Sequence, residues 1–270
     1  MARSEVKMRA IRLIQRFLSA SFQEESIYRV NFFISLISSL LTLASSILGI
    51  SVVFGQIEMV KGWTFASTLV LLGIYLIVGA IRSLFISPGL ESLAGMDGEV
   101  WTGKFDFLLL RPVNTQFLVT FRKWKVFSLF DLLLGTTVLS TAVGLLNVPL
   151  SAWQIISFLI MLCCGVTILY SILLVFSALV FWSPGVLFTW IFNGLFQMAR
   201  YPLSMYPTWL RLILTWVIPV GMITTIPTQA LLGELTTQNM IGSIVLAIVF
   251  MLAASFFFRW ALRHYSSASS

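Results

Sequence analysis

Residues 64–86 read TFASTLVLLGIYLIVGAIRSLFI and carry a single charged side chain, Arg82, near their carboxyl end. A helix of about 20 mainly apolar residues is long enough to cross the hydrocarbon core of a bilayer. The stretch therefore predicts a transmembrane helix that ends shortly after Arg82. Similar apolar stretches recur along the rest of the chain.

The whole 270-residue chain has the composition of a membrane protein. Hydrophobic residues make up 59% of it and charged residues only 10%, whereas soluble domains are roughly a quarter charged. The longest polar-enriched stretch, residues 87–125, is too short for a separate soluble domain. We therefore expect one all-α transmembrane domain over residues 1–270.

Six apolar runs are predicted to cross the membrane as helices, and a seventh is not. Pro219 and Pro227 interrupt the seventh run and Arg211 lies near its start, so we expect two short re-entrant helices there. In the alternative arrangement, the seventh run is the fifth span and residues 184–200 are the re-entrant piece. The predicted spans are residues 30–55, 64–86, 124–147, 152–181, 184–200 and 240–260, and the seventh run is residues 208–232 within an extracytoplasmic region, 201–239.

The distribution of Lys and Arg predicts which ends of the spans face the cytoplasm. Of the 17 basic residues, only Lys61, Arg200 and Arg211 fall on the side opposite to the others. Cytoplasmic segments carry an excess of Lys and Arg, so we expect the leader (residues 1–29), the loop 87–123 and the carboxyl terminus to be cytoplasmic. This arrangement requires an even number of spans.

The leader is predicted to contain an amphipathic helix over residues 7–18. Arg9, Arg12 and Arg16 share one face at helical spacing, and Ile11 and Ile14 lie on another. A helix with this pattern lies in the membrane interface. The alternative is a charged leader without such a role.

Two predicted spans carry polar side chains along one face. Residues spaced three and four apart lie on the same side of a helix, and polar faces in a membrane turn towards other helices or a water-filled path. Three roles are open for these faces: helix packing alone, a subunit interface, or the wall of a translocation path. The face in the first span consists of Asn31, Ser35, Ser38, Thr42, Ser45 and Gly49, and that in the fifth span of Thr189, Asn193, Gln197 and Arg200.

Asp131 is the only acidic residue well inside a predicted span. Ionisable residues at such a depth pair with one another or take part in function. Arg82 lies at a similar depth on the preceding span, so we expect the two side chains to form a structural ion pair. Proton coupling by Asp131 is the alternative role.

The sequence contains no recognisable catalytic motif. GxSxG and HExxH are both missing, and the stretch Gly98–Lys104 is followed by Phe105, where a phosphate-binding loop needs Ser or Thr to bind Mg²⁺. The single histidine, His264, cannot build a histidine-rich metal site, and the adjacent Cys163 and Cys164 are typical of apolar packing. We expect a protein that is not an enzyme and binds neither metal nor nucleic acid.

The loop between the second and third spans is predicted to dock onto another protein. Pro88 suits a helix start, and Leu90, Leu93 and Ala94 follow at helical spacing. Acidic residues on the other side of this short helix disfavour anionic lipid and favour a protein groove. The acidic residues are Glu91, Asp97 and Glu99, and Trp101 extends the apolar side.

A later part of this loop resembles a known family. Gly103-Lys-Phe-Asp-Phe-Leu-Leu-Leu-Arg-Pro-Val-Asn resembles the signature of ABC-2 type permeases, the separately encoded membrane subunits of ABC exporters. Tyr201-Pro-Leu-Ser-Met-Tyr-Pro, Ile218-Pro219 and Ile226-Pro227 are similar to other segments of that family. The resemblance implies six spans with both ends inside, an elbow helix before the first, a coupling helix after the second, and re-entrant helices around Arg211, Pro219 and Pro227.

The resemblance also implies partners and roles. Two ATP-binding subunits, which hold ATP and Mg²⁺, would dock on the coupling region Glu91–Gly103 and drive a dimer of this chain with itself or a paralogue. The segment Asp106–Pro112 would brace that region. The protein would lie in the inner membrane of a prokaryote. A secondary carrier using Asp131 and a non-transporting anchor are the alternatives, and the substrate is not implied. The residues implied in coupling are Glu91, Leu93, Asp97, Glu99, Trp101, Lys104, Asp106, Arg111 and Pro112.

Overall fold

The computed structural model describes residues 2–27, 29–147, 149–185 and 188–265, with side chains from residue 12 onwards except 29, 188, 189, 216 and 217. Nearly all of these residues are helical. Two π-helical turns, Arg82–Ile86 and Ile213–Val217, and two 3₁₀ turns, Met198–Arg200 and Leu203–Met205, join some of the helices. The α-helices are α1 (Ala2–Ile27), α2 (Arg29–Phe54), α3 (Phe65–Ile81), α4 (Ser87–Glu91), α5 (Lys104–Leu109), α6 (Thr115–Phe121), α7 (Ser128–Leu146), α8 (Ala152–Leu179), α9 (Phe188–Gln197), α10 (Thr208–Leu212), α11 (Val220–Leu232) and α12 (Thr237–Arg263).

Among the described residues, five helices are long and apolar enough to cross a membrane. They are α2 from Val30, the continuous run Phe65–Glu91 formed by α3, a π turn and α4, and the helices α7, α8 and α12. They coincide with predicted spans one to four and six. The prediction of a multi-pass, all-helical membrane protein is confirmed.

The starts of two spans follow from local sequence. Thr64 and Ser67 form a reciprocal pair in which each side chain accepts a hydrogen bond from the other residue's backbone N–H, and Ser151 and Gln154 do the same before α8. Such capping boxes satisfy donors that the first turn of a helix leaves free. They fix where α3 and α8 begin.

The leader, the long loop and the carboxyl-terminal segment meet at one end of the helix bundle. The backbone N–H of Trp124 donates to Ser21, and the hydroxyl of Tyr265 donates to Asp106. We call this end, formed by residues 12–27, 87–127 and 259–265, the basic end, and the other the opposite end. The clustering agrees with the arrangement predicted from Lys and Arg.

The predicted fifth span, residues 184–200, is not one full-length helix. α9 contains 10 residues, about half the length that a span requires. Phe192 contacts Arg82, and Phe196 stacks on Tyr75 near the middle of the Phe65–Glu91 run. The helix α9 therefore extends from the basic end to about mid-depth. It stops there because Tyr201 precedes Pro202 and adopts an extended conformation.

The seventh apolar run supplies a second half-length helix instead. The helical segment Thr208–Thr215, which begins with α10, diverges from α11 by 89°. Ile218, which precedes Pro219, is extended between them. A side-chain atom on Gly165, in the middle of α8, would lie 2.8 Å from the carbonyl oxygen of Ile223, and one on Gly233 would lie 2.6 Å from Gln154. Thus α11 runs from mid-depth to the opposite end.

The two half-length helices meet at mid-depth, where the hydroxyl of Thr224 donates to the carbonyl of Ala199 at 3.1 Å. Together α9 and α11 cover the depth of one crossing, and residues 198–219, which begin with the 3₁₀ turn Met198–Arg200, are inserted between them. Neither of the two arrangements predicted for the fifth span is complete. Each assigned the crossing to one run, whereas the two runs contribute half each.

Pro227 does not end a helix, contrary to the prediction, since α11 continues through it. A proline at this position removes the N–H that would bond to the carbonyl of Ile223. That carbonyl lies against Gly165 of α8, where only a hydrogen side chain fits. The close approach of α8 to α11 therefore occurs at a carbonyl from which Pro227 removes the usual helical N–H donor.

The helix α3 lies at the centre of the bundle and packs closely on α7, while α8 packs on α11 and α12. Glycines allow the closest approach, since a Cβ on Gly73 would lie 2.8 Å from the Cα of Leu139, and one on Gly135 would lie 2.9 Å from the N of Ile77. Small residues have this role where helices pack in lipid. By contrast, α2 packs mainly along one side of α3, which leaves an open groove.

Candidate functional site

A polar cavity of about 350 Å³ lies between α2, α3, α7 and α9. It brings together residues that the sequence had singled out on four separate spans. Hydroxyls of α2 face the amides of α9 across it, with one basic and one acidic residue between them. Its polar lining consists of Ser38, Ser39, Thr42, Tyr75, Arg82, Ser83, Asp131, Asn193 and Gln197.

A second cavity, of about 650 Å³, continues from the first towards the basic end. Arg82 and Ser83 line both cavities, and Asn31 and Ser35 extend the polar face of α2 into the second. We call the two cavities together the polar groove. It runs from the basic end to about mid-depth, where Tyr75 and Phe196 stack with ring centroids 5.0 Å apart.

Arg82 and Asp131 border the same cavity, but no ion pair joins them within the described part of the chain. The predicted pair is therefore wrong. The Nε of Arg82 donates to Ser87 at 3.2 Å, and its guanidinium lies over the rings of Phe192 and Phe196, at 5.9 and 5.5 Å from their centroids. These cation–π contacts hold the arginine towards α9 and away from α7.

Two polar side-chain atoms beside the aromatic stack lack hydrogen-bond partners among the described residues. The Oδ1 of Asn193 and the Nε of Arg200 are buried and form no hydrogen bond there. Arg200 instead lies over the ring of Tyr75 at 5.5 Å. Unpaired polar atoms are costly in a low-dielectric interior, so Asn193 presents an acceptor for a ligand or water in the groove. The side chain of Thr189, predicted for this face, lies outside the described residues.

The loop at the basic end differs from the predicted amphipathic helix. Only α4, five residues long, is helical before residue 104, and turns follow it. Leu90 and Leu93 are fully buried within the chain, so the predicted apolar side of the helix contributes to the protein's own core. Glycines at Gly95 and Gly103 have positive φ values of 91° and 71° and form the turns.

Two of the predicted coupling acids also face inwards. Glu99 is buried and forms ion pairs with Arg122 and with Lys123, the latter at 3.0 Å. Glu91 is half-buried and lines the polar groove. A buried carboxylate needs such basic partners because its desolvation is expensive. The prediction that Glu99 and Leu93 face a partner is wrong, whereas Asp97 is exposed.

The surface that the loop does expose is apolar. Met96, Trp101, Phe107 and Leu110 have exposed fractions of 77%, 54%, 73% and 81%. We call these four residues the apolar patch. Sequence reasoning identified Trp101 only. Phe107 and Leu110 were not predicted. They are three residues apart, as are Phe105 and Leu108, which are buried. A short segment with two such apolar faces does not reveal from its sequence which face is internal.

The patch is held in place by contacts with both neighbouring segments. The hydroxyl of Tyr265 donates to Asp106 at 3.0 Å, and the N–H of Gly95 donates to the carbonyl of Pro184 at 2.8 Å. The predicted residues Lys104, Arg111 and Pro112 are exposed beside the patch. The loop is therefore a fixed surface attached to the connection between α8 and α9 and to the carboxyl-terminal segment.

The leader is attached to the start of α7 through Glu25. Its Oε2 accepts a hydrogen bond from the N–H of Phe127 at 3.1 Å. Burial raises the pKa of Glu25, and the backbone hydrogen bonds from Phe127 and Val126 and the charge of Lys125 oppose that rise only in part.

This raised pKa predicts a pH-dependent stability of the chain. A carboxyl whose pKa is higher in the folded than in the unfolded chain contributes least to the free energy of unfolding when it is ionised. The stability of the chain should therefore fall as pH rises from the unfolded pKa through the folded pKa of Glu25. Glu25→Gln is expected to flatten this pH dependence by a small amount, since the group is partly exposed. Thermal unfolding in detergent between acidic and neutral pH measures it, with the exposed neighbour Glu24→Gln as control. An equal flattening by both variants contradicts the prediction.

The described residues contain no group of three His, Cys, Asp or Glu side chains placed to hold a metal ion. Comparison with known proteins gave one family. A family model described as ABC-2 family transporter protein matches residues 40–269. No curated protein and no solved structure matched the chain.

Proposed function

Because the chain belongs to the ABC-2 family of transporter proteins, we propose that it forms the translocation pathway of an ABC exporter and is driven by separately encoded ATP-binding subunits. The family consists of multi-pass membrane permeases that are not themselves catalytic. Two copies of this chain, or one copy with a paralogue, would enclose the pathway. ATP and Mg²⁺ would be held by the partner subunits.

The polar groove is the observation that carries this proposal. Its hydroxyls, amides and unpartnered Asn193 oxygen lie on helices that cross an apolar membrane, where polar surface is expensive unless water or a substrate uses it. The groove is open along α2 in a single chain, so a second permease is expected to complete its wall. The aromatic stack of Tyr75 and Phe196 would close it at mid-depth.

The apolar patch would be the docking surface for the ATP-binding subunit. Exposed apolar residues on the polar end of a membrane protein are typical of interaction sites, and aromatic residues contribute strongly to interfaces. The loop that carries the patch follows α4, and backbone hydrogen bonds from Glu99 to Ser92 and from Val100 to Leu93 hold it against the end of that helix. Through a π turn α4 continues the run of α3, and α3 lines the groove. Movement of a docked subunit would therefore be transmitted to the groove through one continuous helix.

The positions of the charges support the remaining parts of the proposal. With the basic end in the cytoplasm, α1 would lie along the inner membrane surface as the elbow helix, since Arg12 and Arg16 are exposed and Ile14 and Phe17 are partly buried. Residues 201–219 would then form the re-entrant part on the outer side. The host membrane would be the inner membrane of a prokaryote.

Access of water to the groove provides a test that needs no substrate. In a background with Cys163 and Cys164 replaced by Ala, Ser38→Cys and Gln197→Cys should react with a charged, membrane-impermeant thiol reagent. Leu40→Cys, on the opposite side of α2, should react at least about tenfold more slowly, because reaction needs the thiolate and lipid suppresses it. Labelling rates are read by mass spectrometry. Equal rates at all three positions would contradict an aqueous pathway.

A secondary carrier that uses Asp131 is the second candidate. Asp131 lines the groove and has no ion-pair partner among the described residues, and an ionisable residue at such a depth can bind a transported proton. Isolation from native membranes in mild detergent separates the two functions. An ABC permease should copurify with an ATP-binding subunit, whereas a secondary carrier should not.

A further inference from the structure

A second groove lies outside the proposed pathway, between α6, α8 and α12 at the basic end. Its volume is about 430 Å³, and it shares no lining residue with the polar groove. We propose that it binds one anionic phospholipid, with the phosphate at Arg259 and an acyl chain in the apolar slot beyond it.

The groove changes from cationic to apolar along its length. Met251, Ser255 and Arg259 line it from α12 at intervals of four residues, so Arg259 and Met251 are separated by about 12 Å along the helix axis. Val166 of α8 also lines the groove, one helical turn before Tyr170. A phospholipid has the same gradient, with a charged headgroup at the interface and an apolar chain beneath it.

A hydrogen-bonded wall makes the groove a preformed site. The amide Nε2 of Gln116 donates to the hydroxyl of Tyr170 and to that of Ser255, both at 3.1 Å, and Thr120 bonds the same tyrosine at 2.9 Å. These bonds join α6 to α8 and to α12. The shape of the groove therefore does not depend on the lipid, which reduces the entropic cost of binding.

Arg259 supplies the charge that selects an anion. It is exposed at the mouth of the groove and forms no ion pair or hydrogen bond with the described residues. Arg263, one turn further along α12, is exposed as well. The lining contains no carboxylate. A negatively charged phosphate would thus be attracted without competition from acidic side chains.

The surroundings of the groove indicate that the occupant comes from the bilayer. Leu252 and Phe256, which lie beside it on α12, have exposed fractions of 67% and 73%. Large apolar side chains at that depth on a membrane helix face lipid. A lipid can therefore enter sideways, with its headgroup kept at the membrane surface.

Lipid titration of the purified full-length chain in detergent tests the proposal. Native mass spectrometry measures binding of phosphatidylglycerol and of phosphatidylcholine to the wild type and to variants. Arg259→Gln should weaken phosphatidylglycerol binding about five-fold and phosphatidylcholine binding much less, because choline offsets the charge of the phosphate. Arg211→Gln, an exposed arginine away from the groove, serves as the matched control.

Met251→Trp should weaken binding of both lipids because it fills the slot, and Val166→Phe is a second filling variant if the first misfolds.

Three outcomes would overturn the inference. Equal losses in Arg259→Gln and Arg211→Gln would show a general effect of charge. Normal binding in both filling variants would exclude the acyl slot. Displacement of the lipid by excess inorganic phosphate alone would indicate a site for a free anion. Because the measurement involves neither ATP nor a partner subunit, its result is independent of the proposed transport function.

Discussion

The double substitution Trp101→Glu and Phe107→Glu is expected to abolish copurification of the ATP-binding subunit. Burial of a large apolar side chain contributes about 1.5–3 kcal/mol, and each 1.4 kcal/mol changes an affinity about tenfold. Losing two such contacts, with two carboxylates left in an apolar interface, should weaken the complex at least about 100-fold. Mild-detergent isolation followed by quantification of the bound subunit measures the effect.

The control for this experiment is Met59→Glu. Met59 has a similar exposed fraction, 57%, in the connection between α2 and α3 at the opposite end. The Met59→Glu variant should bind the ATP-binding subunit as the wild type does. This variant and the double variant should insert into the membrane in equal amounts. If the double variant still copurifies the subunit normally, the apolar patch is not the docking surface.

Gly73→Leu is expected to separate α3 from α7 and to destabilise the whole bundle. A Cβ at Gly73 would lie 2.8 Å from both the Cα and the N of Leu139, and a backbone cannot give way as a flexible side chain can. Overpacking of a core costs about 1–3 kcal/mol and sometimes more, and we expect about 3 kcal/mol here. The unfolding midpoint in detergent should fall accordingly.

Gly144→Leu gives the matched comparison, because it adds the same side chain where no atom lies within 4 Å. Gly144 lies on α7, the helix that Gly73 contacts. Its replacement should leave the unfolding midpoint unchanged or raise it slightly, since Leu favours a helix more than Gly does. Equal destabilisation by both substitutions would mean that helix propensity, and not helix contact, explains the effect of Gly73→Leu.

The five continuous spans were predictable from the sequence because length and hydrophobicity alone define a membrane helix. The fifth crossing was not, since its two halves, α9 and α11, are separated by the 22 residues 198–219. Hydropathy treats each apolar run separately. Only the contacts of Phe196 with Tyr75 and of Ile223 with Gly165 reveal that each run covers half the depth.

The polar groove was predictable in its residues but not in its contacts. Spacing placed Ser38 and Thr42 on one face of α2, and Asn193 and Gln197 on one face of α9. It could not decide whether Arg82 would pair with Asp131 or stack on aromatic rings, because that choice depends on the position of α9. The apolar patch was hidden for a similar reason: alternate apolar residues of α5 point in opposite directions.

The divided fifth crossing has a mechanical consequence. A continuous helical run such as Phe65–Glu91 transmits a displacement at one end to the other end. The half-helices α9 and α11 are linked at mid-depth by the hydrogen bond between Thr224 and Ala199 and by side-chain packing. Aromatic contacts attach α9 to α3, whereas α11 packs chiefly on α8. We therefore expect the junction to act as a joint, at which α9 tilts together with α3 while α11 stays packed against α8.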